Sequence, residues 1–87
     1  MKHEFRGKWL IFRLECFTGK TLVYDVRAAK SGIWLGDIRW ASGWRQYAFY
    51  PASATFYEKT CLRDIASFVV RLQREHDRAM PKREAVR

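Results

Sequence analysis

Hydrophobic and polar positions change period once along this chain. Up to about residue 50, β-branched and aromatic runs alternate with turn-forming stretches. The runs are WLIFRLECF, LVYDVRA, IWLGDIRW and WRQYAFY; the turns are FTGKT at 17–21, AKSGI at 29–33 and ASGW at 41–44. That pattern predicts an antiparallel meander of four strands. Pro51 closes the last strand, because proline cannot donate to a ladder. Residues 52–58 form a connector, and TFYE within it could add a short edge strand. From Thr60 onward Leu62, Ile65, Phe68, Val69 and Leu72 recur at helical spacing. They predict a helix over 60–79, with Thr60 as N-cap and Pro81 just past the end. The expected fold class is α+β: a four-stranded antiparallel β-meander packed on one C-terminal α-helix. A single domain over 1–80 and a flexible basic tail over 81–87 complete this reading.

Loop length decides which side chains face the helix. A three-residue loop at Ala41-Ser42-Gly43, with glycine in the left-handed position, sets Trp40 opposite Trp44 and Asp37 opposite Tyr47. A similar loop at Lys30-Ser31-Gly32 sets Tyr24 opposite Ile38 and Val26 opposite Gly36. Both loops then turn Leu22, Tyr24, Val26, Ala28, Trp34, Gly36, Ile38, Trp40, Trp44, Ala48 and Tyr50 toward the helix, with Gln46 the one amide among them. A slip by one residue would bury Asp25, Asp37, Arg39 and Arg45. A three-residue first loop (18–20) adds Leu10, Phe12, Leu14 and Cys16 to the inner face. The outer face is left with Trp9, Ile11, Arg13, Glu15, Val23, Asp25, Arg27, Leu35, Asp37, Arg39, Arg45, Tyr47 and Phe49.

Composition agrees with a packed domain: 48% of the 87 residues are apolar and 16% aromatic, too rich for a disordered chain. No run approaches a membrane span, and the N-terminal MKHEFRGK lacks the apolar stretch of a signal peptide. Two cysteines, Cys16 and Cys61, make no disulfide framework and read as free thiols in a reducing cytoplasm. The 17 Lys and Arg against 9 Asp and Glu give a net charge of +8. That excess suits a polyanionic partner, whether nucleic acid, an acidic protein face or an anionic membrane surface, and equally serves solubility.

Catalytic chemistry finds little footing. Cys16, Cys61, His3 and His76 lack metal-ligand spacing. Asp25 opposite Asp37 resembles a paired-carboxylate site, but the flanking arginines argue against that role and no pocket signature accompanies it. TGKT at 18–21 lacks the upstream glycine of a phosphate loop. A non-enzymatic binding module without cofactor is expected. Its leading surface is the outer sheet face, where Arg13, Arg27, Arg39, Arg45, Tyr47 and Phe49 combine guanidinium groups with aromatic rings, as nucleic-acid interfaces do. The competing account is a solvated face with cross-strand ion pairs, Arg13 to Asp25 and Arg27 and Arg39 to Asp37. A secondary basic stripe of Arg63, Arg71, Arg74 and Arg78 runs along the helix; it could follow a phosphate backbone or simply be a solvated helix face. Homodimer formation through Ile11, Leu35 and Phe49, or through sheet edges, is a further expectation.

Two resemblances extend this reading. The residues LGDIRW, WRQYAFYP, Phe56 and CLRDIASF, spread over 35–68, resemble a group of small proteins of phages, prophages and bacterial mobile elements. This likeness implies a phage or mobile-element setting in the cytoplasm of a bacterial host. It makes binding to a host defence complex, in the manner of an anti-CRISPR inhibitor, the alternative to nucleic-acid binding. Separately, three strands on a C-terminal helix, with WLG at 34–36, look like DNA-binding modules of the plant AP2 type and of tyrosine integrase N-terminal domains. In those modules the open sheet face enters the major groove. By position, that likeness implies Arg27, Arg39, Arg45 and Tyr47 as readers.

Overall fold

A computed structural model describes residues 4–79; the expected tail over 81–87 lies outside them. Five antiparallel strands follow chain order across one sheet: β1 (Glu4–Arg6), β2 (Leu10–Phe17), β3 (Leu22–Ala28), β4 (Trp34–Ala41) and β5 (Gln46–Pro51). One helix, α1 (Lys59–Ala79), packs on one face. The α+β class matches the sequence pattern, with one strand more than expected. That strand is β1, whose Phe5 faces the helix between outward Glu4 and Arg6, the period of a strand edge.

Phe68 is the hub of the core. Its ring stacks on Phe12 at 4.5 Å, meets the edge of Tyr24 at 4.8 Å and tilts against Phe5 at 5.2 Å. Such ring pairs contribute about 0.5–1.5 kcal/mol each beyond area burial. Leu10, Val26, Ile38, Tyr47, Ile65 and Leu72 complete the cluster. Of the expected helix stripe, Ile65, Phe68 and Leu72 are buried and Val69 partly so, whereas Leu62 is exposed.

Polar contacts fix how the helix lies. Glu58 caps it in place of Thr60: its carboxylate accepts the Cys61 N–H at 2.6 Å, and its carbonyl takes the first helical bond, from Leu62. That charge-assisted bond also holds the Glu58 carboxyl below its ordinary pKa. Asp64 accepts the Lys8 N–H at 3.0 Å, tying the helix to the β1–β2 turn. Gln73 accepts the Tyr47 N–H at 2.8 Å, so the helix covers part of the free edge of β5.

Register departs from the expected one in three places, and each departure moves side chains between faces. Around β3 the expected pairs hold: Arg13 with Asp25, Tyr24 with Ile38, Asp25 with Asp37 and Val26 with Gly36. Between β4 and β5 they do not. Ala41 pairs with Gln46, so the loop is residues 42–45, and Trp40 sits opposite Tyr47 instead of Trp44. The Trp44 and Arg45 N–H groups both donate to the Ala41 carbonyl, at 3.0 and 2.8 Å. Arg45, not Gly43, takes the left-handed conformation (φ 57°). The slip is three residues, an odd number, so all of β5 is turned over. Tyr47 and Phe49 enter the core, Ala48 and Tyr50 face outward, and Trp44 stands exposed in the loop.

The other two departures are bulges. In β4, Leu35 is inserted between Gly36, opposite Val26, and Trp34, opposite Arg27. Leu35 packs on the core, and Trp34 swings onto the open face. Gly36 makes this possible: its φ of 151° disfavours other residues, and a Cβ there would run into the Tyr50 carbonyl oxygen. In β2, Glu15 is the inserted residue, and it carries Cys16 to the open face opposite Val23. Of the three tryptophans expected inside, only Trp40 is packed there, edge-on to Tyr47 at 5.3 Å and against His76 at 4.6 Å.

Candidate nucleic-acid interface

The face away from the helix carries the candidate site, and pairing across the strands builds it in rows. One row runs Glu4, Arg13, Asp25, Asp37, Tyr50. The next runs Arg6, Ile11, Arg27, Trp34. Beyond them Arg39 lies opposite Ala48. The carbonyl of Trp9, in the bend just before β2, accepts the Ala29 N–H at 2.8 Å, so that alternation along the chain sets Trp9 on the side of Ile11. The face is therefore part aromatic and part ionic.

Every arginine of this face meets a carboxylate. Arg27 contacts Asp25 at 3.1 Å and also donates to the Gly32 carbonyl at 3.0 Å. Arg39 contacts Asp37 at 3.1 Å and lies over the Tyr50 ring, 5.1 Å from its centre. Arg6 and Arg13 share Glu4 at 3.4 and 3.7 Å. Asp37 takes a further bond from the Trp34 indole N–H at 3.1 Å. The pairing expected between Arg39 and Asp37 is thus present. Arg27 chooses Asp25 over Asp37, and Arg13 turns to Glu4, a residue of the unforeseen strand.

Height within the face separates Asp25 and Asp37 from the guanidinium groups, while Glu4 at the β1 edge stands as high as the arginines, 41% exposed. The Asp25 and Asp37 side chains are each 15% exposed, against 37% for Arg27, 51% for Arg39 and 54% for Arg13. The two aspartates form a floor on which the guanidinium groups rest. Pairs this exposed contribute at most about 1 kcal/mol, so the arginines are oriented without being locked. An approaching partner meets guanidinium groups first over β3 and β4, and guanidinium groups together with the Glu4 carboxylate at the β1 edge.

The sequence-predicted site residues divide accordingly. Arg13, Arg27 and Arg39 are brought together on the open face. Arg45 lies in the β4–β5 loop, exposed, with no carboxylate partner among the described residues. Tyr47 and Phe49 leave the site altogether. Tyr47 is buried, its hydroxyl accepting the Leu22 N–H at 3.0 Å; burial raises its pKa, partly offset by that bond. Phe49 packs edge-on against Tyr57 at 5.4 Å, and the Tyr57 hydroxyl donates to the Leu35 carbonyl at 2.8 Å. Their places as outward aromatics fall to Tyr50 and Trp34, alongside Trp9; these three rings are 42%, 44% and 44% exposed. Tyr50 was legible only through a four-residue loop, and Trp34 only through the bulge.

On the helix, Arg63, Arg71, Arg74 and Arg78 are all exposed, and Arg71 rests over the Phe5 ring at 4.9 Å. Grooves of about 510 and 440 Å³ lie on the helix side, beside Phe5, Asp64 and Arg71 and beside Leu14, Phe17 and His76. The first is also lined by Glu4 and Arg6, at the β1 edge of the candidate face; the second is lined by none of the residues of that face's rows. Among the described residues no three His, Cys, Asp or Glu side chains are grouped to hold a metal, and no helix is long and apolar enough to cross a membrane. Compared with known proteins, the chain matches no protein-family model, no curated protein and no solved structure.

Proposed function

We propose that this protein is a non-enzymatic nucleic-acid-binding module acting through its open sheet face. The observation that carries the reading is the layered face itself: half-exposed Trp9, Trp34 and Tyr50 rings set among raised Arg13, Arg27 and Arg39 guanidiniums above a carboxylate floor. Guanidinium groups contact phosphates, and exposed rings contact bases. The chain's net +8 adds long-range attraction. The test is an anisotropy titration with labelled oligonucleotides at low and moderate salt. Affinity falls with salt, and replacing Arg13, Arg27 and Arg39 together by Gln weakens binding and flattens that dependence. Absence of binding to every single- and double-stranded probe at low salt overturns the reading.

A protein partner is the second reading, and the ion pairs favour it. Four arginines met by three carboxylates leave the face nearly neutral, and Trp, Tyr and Arg dominate protein–protein hot spots. Small phage proteins of the kind the sequence resembles often act on host proteins. A partner retained from host lysate after nuclease treatment, and lost in Trp34→Ala, would support it.

A further inference from the structure

We infer that the open face takes unpaired bases, not a duplex: single-stranded DNA or RNA whose bases stack on Trp9, Trp34 and Tyr50. This inference rests on the nucleic-acid reading above and deepens it.

Width excludes the groove-entry mode. Five strands span four inter-strand gaps of about 4.8 Å, or roughly 19 Å between outer backbones. The major groove is about 12 Å wide and admits a two-stranded ribbon or a helix. The central residues Asp25, Arg27, Asp37 and Arg39 sit on β3 and β4, flanked on both sides by other strands, so they cannot reach a groove floor. Two residues that would have served a groove reader are elsewhere, Tyr47 in the core and Arg45 in a loop.

The chemistry of the face points the same way. Stacking needs a free base face, which a duplex hides between neighbouring pairs, and three half-exposed rings on one sheet offer it. Arg39 over Tyr50 already fills such a stacked position, and a base can replace or extend it. A carboxylate floor repels phosphates but accepts hydrogen bonds from the N–H edges that unpaired bases expose. Asp37 already accepts one such bond, from the Trp34 indole. Phosphates would then track the raised guanidiniums at the sides.

The experiment compares a labelled 12-mer of oligo(dT), an oligo(U) of equal length and a blunt duplex, all by anisotropy at low salt. Quenching of intrinsic tryptophan emission is followed in parallel. Single strands bind more tightly than the duplex and quench the emission. Trp9→Ala, Trp34→Ala and Tyr50→Ala each weaken single-strand binding by about 5- to 150-fold, the range for one lost base–ring stack. Trp34→Phe keeps a ring but loses the bond to Asp37, and stays within a few-fold of wild type. The dT and U arms differ in both the thymine methyl and the 2′-hydroxyl, and tighter binding of either one than of the duplex supports the inference. Duplex binding equal to or tighter than single-strand binding overturns this inference. So do alanine variants of unchanged affinity, if the Arg→Gln variant still weakens binding. In both cases the nucleic-acid reading survives. No binding to any probe overturns both.

Discussion

The orientation of β5 decides which residues can bind anything, and two conservative substitutions test it. Tyr47→Phe removes one oxygen, the acceptor of the Leu22 N–H at 3.0 Å. Leaving a half-buried donor unpaired costs about 1–2 kcal/mol. For a domain of this size each kcal/mol moves Tm by roughly 4–8 °C, so Tyr47→Phe lowers Tm by about 4–16 °C. Tyr50→Phe removes the hydroxyl of an exposed ring and leaves the ring beneath Arg39 in place. Its effect stays within about 0.5 kcal/mol, as for other surface changes. Thermal unfolding followed by circular dichroism reads both. The alkaline limb gives a second readout. Burial raises the pKa of Tyr47 and of Tyr24 above the ordinary 10.0. The stability this confers is full below pH 10 and declines as pH rises through the folded-state values. Removing the Tyr47 hydroxyl therefore makes the alkaline loss of stability shallower. A larger Tm loss in Tyr50→Phe than in Tyr47→Phe would mean that β5 lies the other way up.

Further outcomes follow from single contacts. Gly36→Ala forces a side chain into a φ of 151° and against the Tyr50 carbonyl; it destabilises by about 1–3 kcal/mol, measured by urea unfolding. Glu58 is held below its ordinary pKa of 4.5 chiefly by the Cys61 N–H, so the cap's contribution is present above pH 4.5 and is lost as pH falls through the lower folded value. Glu58→Gln flattens that acid limb, and an unchanged limb would refute the cap. Burial, reinforced by Glu58, pushes the Cys61 thiol up, whereas Cys16 is exposed. Alkylation at neutral pH followed by mass spectrometry should label Cys16 first, and equal rates would contradict the packing of Cys61.

What the sequence revealed depended on where its charges fall. Asp25 and Arg27 on β3, and Asp37 and Arg39 on β4, alternate with apolar residues, so only one register keeps all four out of the core. Those strands pair as expected around Tyr24, Asp25 and Val26. The helix was legible for a similar reason: Ile65, Phe68 and Leu72 recur on one side, and charged residues elsewhere leave the helix no other face to bury. β1 is too short, at three residues, for alternation to stand out. The Leu35 bulge depends on Gly36 and on packing that no local pattern encodes.

Strand β5 had no such constraint. Residues 46–51, QYAFYP, carry no charge, so turning the strand over exchanges Tyr and Phe for Gln, Ala and Tyr without burying an ion. The charge argument that pins β3 and β4 has nothing to act on there. The decision passes to the loop. A three-residue turn needs a left-handed residue at Gly43, while the observed four-residue turn places Arg45 there, at a cost of about 1–2 kcal/mol for a residue with a Cβ. Packing sets the other side of the balance. The longer loop buries the Tyr47 and Phe49 rings against α1 and Tyr57, whereas the shorter one would bury Gln46, Ala48, Tyr50 and Trp44. The longer loop keeps the Gln46 amide out of the core, where without a hydrogen bond it would cost about 1–3 kcal/mol, enough to match the strain at Arg45. The same exchange puts Tyr50 outside, beside Asp37 and beneath Arg39. A core demand at Tyr47 and Phe49 thus sets which aromatic ring the open face presents.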